Sequence, residues 1–307
     1  MQLKTHYTDF IVDEQATHNP TQGTFSLCLL KKQGMTTLQA VHAIAKHVGV
    51  HTKYVGYAGL KDKFGITTQY ISIKFGKKER ITSFDHPYCS LTYLGQIPYP
   101  ITLGNLQGNT FTITVRQLPK PLTPLSCMPN YFDEQRFSSN NIAIGLALLQ
   151  HNFAYAVSLI QQEHNVQHYI QHHPNDYIGA LRTLPVKQLM LYIGAVQALC
   201  FNQQLSEHCA QQPHRCVSAS WGTLCIPTHP IYEDISFCLP GFDSPSLPLL
   251  TTHHITPRSF IMKSIPALAT ASVQRKAFVP IEALELGAYA QDTQQVSFFL
   301  PKGSYAT

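Results

Sequence analysis

The hydrophobic period changes twice along this chain, and that change restricts its possible folds more than any single motif. From Asp9 to about Leu118, apolar residues recur mainly at every second position, as in Thr24-Phe-Ser-Leu-Cys-Leu-Leu30 and Phe111, Ile113 and Val115. That is the spacing of half-buried strands. Asp9–Glu14, Lys53–Ala58 and Ile66–Phe75 read the same way, and residues 91–118 read as two strands around a turn at Gly104–Asn109. One helix interrupts them: Thr36 or Thr37 can cap a run with Leu38, Val41, Ile44, Ala45 and Val48 at helical spacing, and Gly49 can end it. From Asn141 the period lengthens, and Ile142–Gln162 and Pro185–Gln211 read as long helices. Pro240–Pro257 reads as loop, and Val296–Leu300 returns to strand. The order predicts an α+β protein with a mostly antiparallel sheet and a helical module inserted between its strands. At 307 residues and roughly 150 per domain, two domains are expected.

With 44% hydrophobic residues the chain can bury a core, which excludes a largely disordered protein. No apolar run approaches the ~18 residues of a membrane span, and Met1–Phe10 lacks the order of a signal peptide. The expectation is a soluble cytoplasmic protein. Net charge is +5, unevenly placed: residues 1–80 carry eleven lysines and arginines against five acids, leaving the other 227 residues at −1. Such a basic region suits a polyanionic partner, although a solvated lysine surface would look the same.

Eight cysteines without a secretory signal read as reduced thiols, and their spacing fits no common zinc module. His164, His168 and His172 align at i, i+4 and i+8, read here as a solvated helix face. No metal is predicted.

Gly59-Leu-Lys-Asp-Lys-Phe-Gly65 is the most informative segment. It sets Asp62 between two lysines at a strand–strand junction, where the neighbouring charge favours a carboxylate. The glycines permit tight geometry and close ligand approach. Such an aspartate can attack an electrophilic carbon; equally, Lys-Asp-Lys can be a surface turn with exposed ion pairs. Phosphate-binding glycine motifs and a nucleophile-elbow serine are both lacking in the sequence.

Tyr57-Ala-Gly-Leu-Lys-Asp-Lys-Phe-Gly-Ile-Thr-Thr-Gln69 closely resembles the signature of the TruD family of tRNA pseudouridine synthases. Four more segments match in the family's order: Asp9–Glu14, Leu103–Phe111, Pro129–Phe137 and Phe299–Thr307, with a weaker match at Ala198–Gln203. The resemblance implies a pseudouridine synthase core with a mixed, mainly antiparallel sheet, interrupted by a domain peculiar to the family. On that plan residues 1–149 and 271–307 form the catalytic domain and 150–270 the insert.

The resemblance also implies that Asp62 is the catalytic aspartate and that Phe10, Asn130 and Tyr305 line a uridine pocket, with Tyr305 standing where relatives often have Phe. Lys61, Gln69, Phe132 and Arg136 lie in matched motifs and are expected near the substrate. It implies isomerisation of a tRNA uridine, at position 13 by analogy with bacterial members, with tRNA as partner and no obligatory protein partner. The reaction moves the uracil ring from its N1 to its C5 attachment without redox change, so no cofactor is expected. Phe10 and Tyr305 would stack on the base, worth ~1–3 kcal/mol per base, and Asn130 would offer one donor and one acceptor. The alternatives are a catalytically silent RNA-binding relative and a glycosidase, which would usually need two carboxylates.

Overall fold

The computed structural model describes residues 1–138, 140–160, 162–229 and 231–304. Tyr305, expected at the uridine pocket, lies outside the described residues. The chain forms two compact units, one of residues 1–126 with the segment from Pro280 on, the other of residues 127–279.

The first unit begins with β1 (Phe10–Gln15), β2 (Phe25–Gln33), α1 (Thr37–Val48), β3 (Val55–Tyr57) and β4 (Ile66–Lys74). It continues with α2 (Lys78–Thr82), β5 (Cys89–Ile97) and β6 (Gly108–Val115). The second unit holds β7 (Cys127–Pro129), α3 (Asn141–Leu149), α4 (Phe153–Leu159), α5 (His164–His172) and α6 (Tyr177–Arg182). There follow α7 (Val186–Cys209), β8 (His214–Ala219), β9 (Gly222–Pro227), β10 (Ser236–Leu239), α8 (Pro248–Thr252), β11 (Val273–Lys276) and β12 (Phe278–Pro280). The chain then returns to the first unit through β13 (Glu282–Leu286) and β14 (Gln294–Pro301).

The first unit is built on one eight-stranded sheet in the order β13-β14-β6-β1-β4-β2-β5, with β3 paired to β4. Every pairing is antiparallel except β1 with β4. The mixed, mainly antiparallel sheet expected from the family resemblance is therefore present. β5 and β6 do not pair with each other: β5 lies at the sheet edge beside β2, and β6 lies between β14 and β1. The expected turn at 104–109 is thus part of a connection crossing the sheet. α1 forms as its residues predict. Thr36 caps it by accepting the Gln39 N–H, and Gly49 closes it in the left-handed conformation. Val41, Ile44 and Val48 pack against Leu30, Ile71 and Ile73 of the sheet, while Leu27, Ala58, Ile97 and Ile101 form a smaller cluster with Phe25.

The second unit is largely helical around α7, which is buried along much of its length. Gly145 of α3 lies so close to α7 that a Cβ there would sit 2.2 Å from the Tyr192 carbonyl oxygen. That close packing draws α3 into the second unit, so this unit reaches further at both ends than an insert of 150–270. The single helix expected over 142–162 is two. His151 takes a left-handed φ of 58°, and Asn152 restarts the chain as α4 by accepting the Tyr155 N–H. Among the described residues no helix is long and apolar enough to cross a membrane.

Candidate active site

Asp62 lies in the loop from β3 to β4, and the backbone of that loop is held by buried polar groups. Thr37, at the start of α1, accepts the Lys61 N–H at 2.9 Å and donates to Gln69 Oε1 at 3.0 Å. Gln69 in β4 then donates from Nε2 to the Gly59 carbonyl. Lys32 in β2 sends its ammonium to the Asp62 carbonyl at 2.6 Å and the Lys61 carbonyl at 3.4 Å. Thr37, Gln69 and Lys32 are all about 1% exposed or less. Burial pushes the Lys32 ammonium down to about 8, a shift that the nearby Asp62 charge opposes.

The Lys61 ammonium points inward. It lies 2.7 Å from Glu14 Oε2 and donates to Asn109 Oδ1 at 2.6 Å. Glu14 in turn accepts the Tyr70 N–H. Gly65 is required where the loop enters β4, because a Cβ would lie 2.6 Å from the Phe10 carbonyl oxygen. Every anchor grips main chain or side chain behind the aspartate and leaves its carboxylate free to face outward.

The Asp62 side chain is 43% exposed and pairs with Lys4, whose Nζ lies 3.3 Å from Oδ2. Lys4 takes a left-handed φ of 56°, uncommon for a residue other than glycine. Its ammonium also lies 3.9 Å from the Phe10 ring centroid. The charge partner of Asp62 is therefore Lys4, not the flanking lysines that the sequence suggests. Phe10 is 1% exposed, and its ring lies beneath this ammonium. Two exposed rings, Tyr7 and Phe64, pack with centroids 4.5 Å apart and border a depression of about 440 Å³ with His6 and Gln33. The resemblance assigned no role to Tyr7, Phe64, Lys4 or Lys32. For Lys32 the sequence offers one signal, its position in a strand next to an exposed lysine.

Asn130, Phe132 and Arg136 belong to the second unit and lie together there. Both ends of the Asn130 amide are engaged: Nδ2 donates to the Lys276 carbonyl at 2.9 Å, and Oδ1 accepts from Arg275 at 2.7 Å. Phe132 is buried, with the guanidinium carbons of Arg275 and Arg136 at 4.1 and 5.5 Å from its ring centroid. Asn202 closes the cluster. Its amide accepts the Phe132 N–H at 2.8 Å and donates to the Phe132 carbonyl at 2.9 Å, as a neighbouring strand would. Asn202 lies in the weaker motif Ala198–Gln203, and its partner Phe132 in the matched segment Pro129–Phe137.

A family model described as tRNA pseudouridine synthase D (TruD) matches residues 1–162 and 158–219. A tRNA pseudouridine synthase D of Aquifex aeolicus is 27% identical, with 93% of this chain and 90% of that protein covered. A Methanopyrus kandleri protein named as a probable tRNA pseudouridine synthase D is 26% identical, covering 93% and 84%. A crystal structure from Methanosarcina mazei, of a protein described as a tRNA pseudouridine synthase D, superposes with a TM-score of 0.70. It covers 100% of this chain and 91% of that one at 21% identity, a likeness of fold.

Proposed function

The chain belongs to the TruD family of tRNA pseudouridine synthases, and from that premise we propose that it isomerises a tRNA uridine, at position 13, using Asp62. One observation carries this reading. The loop matching the family signature has its main chain fixed by Thr37, Gln69 and Lys32 and presents the Asp62 carboxylate beside a lysine ammonium.

The reaction breaks the N1–C1′ bond of uridine, turns the detached uracil and joins C5 to C1′; C5 gives up its proton and N1 gains one, so the product is an isomer of the substrate. Asp62 supplies the carboxylate near the sugar, either attacking C1′ and leaving as the C5–C1′ bond forms, or taking a C2′ proton and returning it. Lys4, with its ammonium 3.3 Å from Oδ2, sets a positive charge beside the carboxylate. The uridine leaves its stack to enter the site, as in base flipping. Tyr7 and Phe64, the latter two residues after Asp62, offer exposed rings. For Phe10 to stack on the base, the Lys4 ammonium must first move off its face. Asn130 spends one of its two amide N–H groups and one of two oxygen lone pairs on Lys276 and Arg275, and the others are assigned to a uracil edge. Exposed Lys31, Lys63, Lys77 and Lys78 supply attraction for RNA phosphates, and the enzyme works in the cytoplasm, where tRNA is matured.

Pseudouridine mapping of tRNA from cells with and without the gene, and with Asp62→Asn restored, tests the reading. Position 13 should carry pseudouridine only with the wild-type protein. Unchanged modification in the deletion strain, in the absence of a second enzyme acting there, overturns it. Release of free uracil would instead indicate glycosidic hydrolysis.

A further inference from the structure

Linear spacing hid one cluster that antiparallel pairing assembles. In the β8–β9 ribbon, Cys216 stands directly opposite Cys225. His214, two residues before Cys216, projects from the same face. One ring nitrogen and the two sulfurs all lie within 4.8 Å of one another. We propose that His214, Cys216 and Cys225 bind a zinc ion that staples this ribbon, a site distinct from the isomerase chemistry at Asp62.

The sulfur geometry distinguishes between the chemistries open to two cysteines. The two Sγ atoms are 3.8 Å apart, far beyond the ~2.05 Å of a disulfide bond. A tetrahedral zinc with Zn–S of about 2.3 Å separates two thiolate ligands by about 3.8 Å. The histidine is prepared as well. Its Nδ1 lies 2.7 Å from the Gln212 carbonyl oxygen, and because a carbonyl only accepts, Nδ1 carries the hydrogen. In the neutral ring the lone pair is then on Nε2, and a carbonyl partner on the other nitrogen is the usual support of a metal-ligating histidine.

The buried ligand is fixed before any ion arrives. The Cys225 N–H donates to Ser206 Oγ, Ser206 donates to the Thr223 carbonyl, and the Tyr131 hydroxyl donates to the Cys225 carbonyl. Cys216 is exposed, so the fourth position opens to solvent. Binding replaces two S–H bonds by two Zn–S bonds and releases two protons, leaving a neutral Zn(thiolate)₂ centre completed by neutral His214 and a water. A two-stranded ribbon is marginal by itself. Most side chains of β8 are exposed, so an ion bridging its strands would add cross-links where apolar burial is small.

The test uses the full chain, reduced and stripped of metal, titrated with Co²⁺ and then Zn²⁺. One equivalent of Co²⁺ should give a thiolate-to-cobalt charge-transfer band and tetrahedral d–d bands, which Zn²⁺ abolishes. Hydrogen exchange across residues 214–227 should slow with Zn²⁺. Cys216→Ser changes an exposed side chain and should fold normally, yet lower affinity by at least about a hundredfold. His214→Ala should also weaken it, while pseudouridine formation persists in both variants. Cobalt bands unchanged in Cys216→Ser would place the metal on other thiols and overturn the assignment. So would the lack of thiolate bands in the wild type. A Cys216–Cys225 disulfide in protein alkylated at cell lysis would overturn it as well.

Discussion

The Asp62 loop and the Asn130–Phe132 segment both lie in strongly matched motifs, but their polar groups are used in opposite ways. Around Asp62 the buried side chains bond to main chain behind the residue, so its side chain is left 43% exposed and pairs with Lys4. Around Asn130 the polar groups close on one another: Arg275 on Asn130, Asn202 on Phe132, and two guanidiniums on the Phe132 ring. The first arrangement offers a reactive group on a rigid support. The second spends most of its hydrogen-bonding capacity on its own fold. Two matched motifs thus carry two different hydrogen-bonding arrangements.

The sharpest break in that contrast comes from Asp62→Asn. The fold should change little, within about 0.5 kcal/mol, because the side chain is substantially exposed. Single-turnover pseudouridine formation should fall by about 10³-fold or more, the scale of losing a nucleophile or base. Turnover above a tenth of wild type would place the essential carboxylate elsewhere.

Asn202→Ala acts on the opposite kind of site. It removes the amide that bonds both the Phe132 N–H and the Phe132 carbonyl, and two lost bonds of this kind cost about 1–3 kcal/mol together. Urea denaturation should show that loss. A variant as stable as wild type would show that Phe132 finds other partners and that the second cluster is less closed than its geometry indicates.

Lys32→Met separates support from stability. It replaces a buried ammonium by an apolar chain of similar length, so stability at pH 7 should be within about 1 kcal/mol of wild type or higher. Activity should fall about 10²-fold, because the loop loses its grip on the Asp62 carbonyl. The pH dependence has a definite sign. With its ammonium at about 8 in the fold and near 10.5 when unfolded, wild type binds fewer protons folded than unfolded across that window. Its stability relative to Lys32→Met should then rise from pH 8 toward 10. A difference that stays flat would argue against a desolvated Lys32.

The smallest effect concerns the basic surface. Lys31, Lys77 and Lys78 are exposed and Lys32 is not, so charge reversal at the first three should weaken tRNA binding without unfolding the protein. The slope of log affinity against log salt should become shallower by about 0.9 for each phosphate that is no longer neutralised. Unchanged affinity would put the RNA footprint on another face.

Local chemistry alone was enough for several features. Thr36 and Gly49 delimit α1 because capping needs only neighbouring backbone groups. The alternating runs become β1 and β4, whose burial follows period two over β1 and the first part of β4, while β2 and β14 form as strands with less regular burial. The Asp62 turn falls between two strands, as read, because that loop is continuous in sequence. What the sequence could not settle were outcomes that depend on distant partners. Lys31 and Lys32 are chemically identical neighbours, and only the pleat of β2 turns one outward and the other under the Asp62 loop. Lys61 looked like a ligand-facing charge until Glu14 and Asn109, from two other strands, drew it inward. Cys216 and Cys225 are nine positions apart with no familiar spacing, and the ribbon register sets them face to face. Capping and periodicity act over one or two turns of chain, so sequence determines them. Burial of a charge or convergence of two thiols is set by which strands pair, and only the tertiary structure decides that.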